Sequence, residues 1–329
     1  MLLKKTPLPF CGVALGLAAL GNLIGANAFG KILPAFAGFN EKFGPVCKNI
    51  CGAISALILI WLFIKFVTNF KGFVEELKNP IMGSIIGTYC MALMILGGYK
   101  WPTFEVGRAI WWIGLILHII LIIYFTKEFV LKFSFKKVFT SWYIVYVGIV
   151  AMNINCVDFG MQEFGKFVFW FGFAATIILL ALVTYRYVLI KDFAPPAIPL
   201  FCIYTAPVSL CLAGYMCTFE PNYDKGIIYF MLFLSLFIYL VVLINLPKFL
   251  LMPFFPSYAA FTFPMVISAI ACKLTTAKYL GGQIKADPGL AKITSIIFQL
   301  QTWIALILVV YTLVRYLMFI IAVNEANKS

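Results

Sequence analysis

GSIIGTYCMALMILGG, residues 83–98, and IIYFMLFLSLFIYLVVL, residues 227–243, are both apolar enough to enter a bilayer, yet they are different kinds of helix. The first presents a smooth surface of small side chains, and the second is coated in large ones. Small residues let backbones approach closely or leave space along an axis, whereas large apolar residues suit lipid and outer packing. The contrast recurs along the whole chain. A membrane span needs about 20 apolar residues, and ten such segments run approximately 9–27, 49–69, 80–98, 104–125, 139–156, 163–190, 198–218, 226–246, 257–279 and 295–322. In the centres of the odd segments 40 of 85 residues are Gly, Ala, Ser, Thr or Cys, against 16 of 86 in the even ones. An alternation sustained over five pairs is an internal repeat of helical hairpins. The simplest arrangement is an all-α integral membrane protein with five odd helices inside and five even helices around them.

Composition agrees with that reading. Of 329 residues, 64% are hydrophobic and 11% charged, whereas a soluble domain is about half apolar and a quarter charged. No loop is large enough for a separate soluble domain, so residues 1–329 read as one membrane domain. Two lysines before an apolar run make the first 30 residues imitate a signal peptide. Pro7 and Pro9 open that run and many hydrophobic segments follow, so it reads as the first span of the mature chain. The net charge of +13 is scattered over short loops and span ends, which argues for membrane orientation and against a nucleic-acid partner. Fourteen of the 25 basic residues fall on the side shared by the termini. That bias places both termini in the cytoplasm, with the chain in the plasma membrane or a bacterial inner membrane.

Proline marks the odd segments further. Pro207 in IYTAPVSLCLAGY and Pro264 in FTFPM (261–265) fall within odd segments, and no even segment carries a proline in its interior. A proline frees a backbone carbonyl that hydrocarbon cannot satisfy, so such a break belongs where protein or a wet cavity surrounds it. The odd helices therefore line something. Candidate lining residues are Gly12, Leu15, Gly16, Gly83, Gly87, Gly148, Ser209 and Ser268, with Pro207 and Pro264 as kinks.

The chemistry of the odd segments limits what could pass. Their centres hold no Asp or Glu, and Lys273 is their one basic residue. Proton pumps use intramembrane carboxylates or histidine chains, and cation channels tend to carry acidic rings. Hydroxyls (Thr205, Ser209, Thr262, Ser268) inside a basic protein suit inorganic or small organic anions instead. Lys273 lies about 15 Å beyond Phe263 along a helix, either snorkelling to the interface or drawing anions to a vestibule. The single histidine, His118, sits in a bulky even segment and reads as bonded to a neighbouring helix or at a subunit contact. Nine cysteines, mostly within spans, read as packing residues, so no metal or cofactor is expected. One isolated histidine with almost no buried acids also excludes an intramembrane enzyme.

Four stretches carry a resemblance: LPFCGVALGLAALGNL (8–23), SWYIVYVGIV (141–150), IPLFCIYTAPVSLCLAGY (198–215) and SYAAFTFPMVISAIACK (257–273). With them the chain resembles the tellurite-resistance/dicarboxylate transporter family, which includes the bacterial tellurite-resistance membrane protein and the slow anion channels of plant guard cells. The resemblance implies a homotrimer in which each subunit has its own pore inside five quasi-fivefold hairpins. It also implies that a phenylalanine of the ninth span, here Phe263, blocks the pore, with Pro264 bending the helix beside it. The expected function is a low-selectivity channel for chloride, nitrate and similar anions. A secondary transporter for C4-dicarboxylate, sulfite or tellurium oxyanions is the alternative.

Overall fold

The computed structural model describes residues 5–25, 34–282 and 284–325, and among them secondary structure is helical with no strand. Local chemistry starts several of the helices. The Asn79 side chain accepts from the N–H groups of Ile81 and Met82, and the Thr103 and Asp224 side chains cap Val106 and Ile227 in the same way. Among the described residues eight helices are long and apolar enough to cross a membrane, and Phe10–Gly25 is a shorter apolar helix.

The even segments are regular: Pro34–Thr68, Phe104–Phe125, Gln162–Tyr185, Lys225–Leu250 and Pro288–Glu325. The helices of the second and eighth segments extend past the expected limits, so Pro45 and Pro247 lie inside outer helices after all, Pro45 in the first half of its helix and Pro247 in the last turn of its own. The odd segments after the first are broken. The third divides at Ile86 into Pro80–Ile85 and Gly87–Gly97. The fifth is five α-helical residues, Trp142–Tyr146, followed by a tighter 3-10 stretch, Gly148–Ile154. The seventh and ninth begin as 3-10 helices, Pro195–Thr205 and Pro256–Phe261, and continue as α-helices, Ala206–Thr218 and Phe263–Thr275. Runs of 3-10 helix beyond three or four residues are uncommon. Pro207 and Pro264 are each the second residue of an α-helix, rather than interruptions of one. A first-turn proline lacks an N–H that would have had no helical partner, so the break leaves no extra orphan there.

Burial separates the two sets. In the apolar 18-residue stretch of each, 72, 89 and 83% of residues are buried in the third, seventh and ninth segments, against 28–39% in the even ones. All of Phe10–Gly25 except Asn22 and Gly25 is buried as well. The buried segments touch in chain order (first on third, third on fifth, fifth on seventh, seventh on ninth), and the ninth returns to the first. Each outer helix packs on the inner segment that precedes it.

Side chains fix the common direction of the inner segments. At their starts Ser84 and Ser141 share a 2.7 Å hydrogen bond, and Thr140 donates to the Leu200 carbonyl. At their ends Asn153 donates to Thr218, Tyr99 to the Ala18 carbonyl, and Lys278 pairs with Glu220. Buried donors and acceptors without water must find such partners.

Candidate functional site

A cavity of about 50 Å³ lies where the inner segments converge. One water needs about 10–15 Å³ on this measure, so there is room for a few. Every residue around it comes from an odd segment and none is charged. Phe263 and Pro264 contribute from the ninth, Ala206 and Pro207 from the seventh.

The lining follows a row of three. Pro9, Gly12 and Leu15 come from the first segment, Ile85, Thr88 and Met91 from the third, and Ile144 and Val147 from the fifth. Leu200, Ile203 and Ala206 form the row of the seventh, and Ser257, Ala260 and Phe263 that of the ninth. In a 3-10 helix side chains at i and i+3 eclipse, so a row runs straight along the axis. The long 3-10 stretches of the seventh and ninth segments thus aim a continuous line of side chains into the cavity.

Phe263 ends its row at the junction with the α-helix. Thr262, which belongs to neither helix (φ −94°, ψ −92°), sets that junction. Its hydroxyl lies 3.0 Å from the Gly12 carbonyl and 2.7 Å from that of Ala259. Gly16 makes the approach possible. A Cβ there would stand 2.5 Å from Thr262 Cβ and 3.1 Å from the Phe263 nitrogen.

Gly12, Leu15, Gly148, Pro207, Phe263 and Pro264 edge the cavity, and six other candidates do not. Gly16 is taken up by the contact with Thr262. Gly83 faces the Leu77 carbonyl, and Gly87 faces Ile144 and Leu121. Their smallness serves backbone approach and leaves no open space. Ser209 and Ser268 share a 3.1 Å hydrogen bond between the seventh and ninth segments, and Ser268 also reaches the Pro264 carbonyl at 2.9 Å. Lys273 lies in the last turn of Phe263–Thr275, partly buried, away from the cavity.

His118 is fully buried and its Nε2 lies 2.9 Å from the Val145 carbonyl, at the break of the fifth segment. A carbonyl only accepts, so Nε2 carries the proton. Thr88, Met91 and Ser257 were not foreseen as lining residues. The three-residue spacing that unites them is visible in the sequence, but it also fits the i, i+3 pairs of any α-helix. All nine cysteines are free thiols. Among the described residues no three His, Cys, Asp or Glu side chains converge on a point that would hold a metal ion.

The geometry on its own is that of a small uncharged cavity at the centre of a bundle of apolar helices. A family model of voltage-dependent anion channels, SLAC1, matches residues 6–317. The chain belongs to the voltage-dependent anion channel family. No curated protein matches it. Membership agrees with the resemblance read from the odd segments. It makes the chain a multi-pass membrane protein of an anion channel and transporter family, one that is not enzymatic.

Proposed function

We propose that the protein is an anion channel of low selectivity, passing small monovalent anions such as chloride and nitrate along the axis of the inner ring, with Phe263 as its gate. The observation that carries this is the cavity itself: it is edged by inner segments alone, bears no charge, and has the Phe263 ring in its wall. A carrier that recognises a dianion would need fixed cations at its site, and none borders the cavity. Without them an anion passes only by shedding water, and apolar constrictions close by dewetting.

The remaining architecture in this reading is ten spans in five quasi-fivefold hairpins within one membrane domain. Both termini are cytoplasmic, three copies form a homotrimer with a separate pore in each subunit, and the membrane is a plasma or bacterial inner membrane. The basic residues at the ends where odd segments begin, including Lys65, Lys71, Lys78, Lys136 and Lys137, support that orientation. Reversal potentials of purified protein in planar bilayers test the function. Permeability should fall from nitrate to chloride to sulfate and malate. A preference for sulfate or malate over nitrate would make the protein a carrier.

A further inference from the structure

A second cavity, of about 180 Å³, opens on the outside of the bundle against the seventh segment. Tyr187 and Lys191 reach it from the π turn that continues the sixth outer helix, Arg186–Ile190, which Lys191 closes at φ 52°. Asn245 and Phe249 reach it from the end of the eighth. Ile198 and Phe201 belong to the 3-10 helix Pro195–Thr205. Side chains three apart share a face of such a helix. Ile198 and Phe201 thus form one row, while Leu200 and Ile203 form the row that lines the central cavity. One helix walls both spaces. A short hydrogen-bond chain also joins them: the Tyr187 hydroxyl lies 3.3 Å from that of Thr140, which donates to the Leu200 carbonyl at 2.7 Å.

Unlike the central cavity, this one has a charge in its wall. Lys191 lines it and is exposed. A second cation stands close by. Arg186 is buried and does not line the pocket, but its guanidinium lies 4.4 Å from the centre of the Phe193 ring, which does. Among the described residues neither Arg186 nor Lys191 forms an ion pair. The neighbouring acid, Asp192, gives Arg186 its main-chain carbonyl at 2.7 Å. Around these cations the surface is apolar: Leu189, Ile244 and Leu251, close in the chain to lining residues, are all exposed. Cations beside lipid-facing leucine and isoleucine mark the depth at which hydrocarbon gives way to headgroups.

We propose that this pocket takes the headgroup of an anionic phospholipid, with its phosphate at Lys191 and its chains on the exposed faces of the sixth and eighth outer helices. Basic pockets between spans suit such headgroups. The phosphate accepts a charge-assisted hydrogen bond from the lysine ammonium. Asn245 gives one amide N–H to the Val241 carbonyl of its own helix at 2.8 Å and keeps a second for headgroup oxygens. Arg186 adds its field without touching the lipid. Free phosphate lacks the chains, and one lysine in an open pocket is too little to hold it out of water. A zwitterionic lipid has the chains but no net charge for the cations to act on. The proposal goes beyond the channel reading and does not rest on it, because binding is read without any current.

Native mass spectrometry of the full chain, delipidated in detergent, can compare dioctanoyl phosphatidylglycerol with dioctanoyl phosphatidylcholine. The wild type should prefer phosphatidylglycerol about fivefold or more, the worth of one basic residue near an anionic headgroup. Lys191→Asn removes the charge with a residue that tolerates left-handed backbone, and it should abolish the preference. Lys191→Arg should keep it. Ile198→Trp retains every charge but fills the pocket, and it should weaken phosphatidylglycerol binding. No preference in the wild type, or one that survives Lys191→Asn, overturns the proposal. Unchanged binding in a folded Ile198→Trp protein also overturns it, since the attraction would then be diffuse. Inorganic phosphate that competes at the lipid's own concentration would make the pocket a free-anion site instead. Dissociation of an oligomer in Ile198→Trp, with no lipid present, would make it a contact between copies of the chain.

Discussion

Phe261 is fully buried with its ring centre 4.6 Å from that of Tyr258, whereas Phe263, two residues on, edges the central cavity. Truncating a packed phenylalanine costs about 3–5 kcal/mol. Phe261→Ala should therefore lower the thermal midpoint in detergent well below that of Phe263→Ala, and equal midpoints would place both rings in the same environment. Gly16 offers a second test at this scale. An added methyl must push against Thr262 and the Phe263 backbone, and overpacking of this kind costs about 1–3 kcal/mol. Gly16→Ala should lose stability in a melting curve, while Gly12→Ala, whose Cβ would meet the Ala259 Cβ at 3.0 Å and its next neighbours no closer than 3.8 Å, should lose less. Small residues of the odd segments were legible as a class from the sequence. Which of them border space and which border backbone was not, because glycine serves both needs.

At the level of the segments, proline was a partial guide. It marked the breaks of the seventh and ninth segments, though as first-turn residues of α-helices that follow 3-10 helix. The fifth segment breaks without an interior proline, and bonds to its backbone and from its side chains tie it to the rest of the chain. His118 reaches the Val145 carbonyl, and Asn153 donates to the Gly165 carbonyl at 2.8 Å and to Thr218 at 3.1 Å. Tertiary bonds of this kind leave no local pattern, which is why the break was not readable. His118→Leu should leave the Val145 carbonyl unpaired in a dry setting and cost about 1–3 kcal/mol. His118→Gln keeps a donor and should recover part of it. Thermal unfolding of both variants checks this, and identical losses would make the bond incidental. The sequence placed His118 against a neighbouring helix or a subunit, and the contact found is with the fifth segment of its own chain.

Across the whole molecule the alternation of small and bulky segments, seen first in residues 83–98 and 227–243, becomes a buried circuit of five segments with outer helices packed around it. That much was legible because lipid and protein select opposite side-chain sizes. Closure of the circuit was not, since it depends on contacts such as the Thr262 hydroxyl on the Gly12 carbonyl, 250 residues apart. The proposed account joins the ring, its uncharged cavity and Phe263 into one gated anion path. It is tested most directly by single-channel recording of the wild type and Phe263→Ala in planar bilayers under symmetrical chloride. Removing the ring deletes both the obstruction and its apolar surface while the proline-started helices keep their place. The account predicts a weakly conducting wild type and a strongly conducting, anion-selective Phe263→Ala variant at equal yield. A Phe263→Ala protein that is well folded yet silent, or conducts cations as readily as anions, would contradict it.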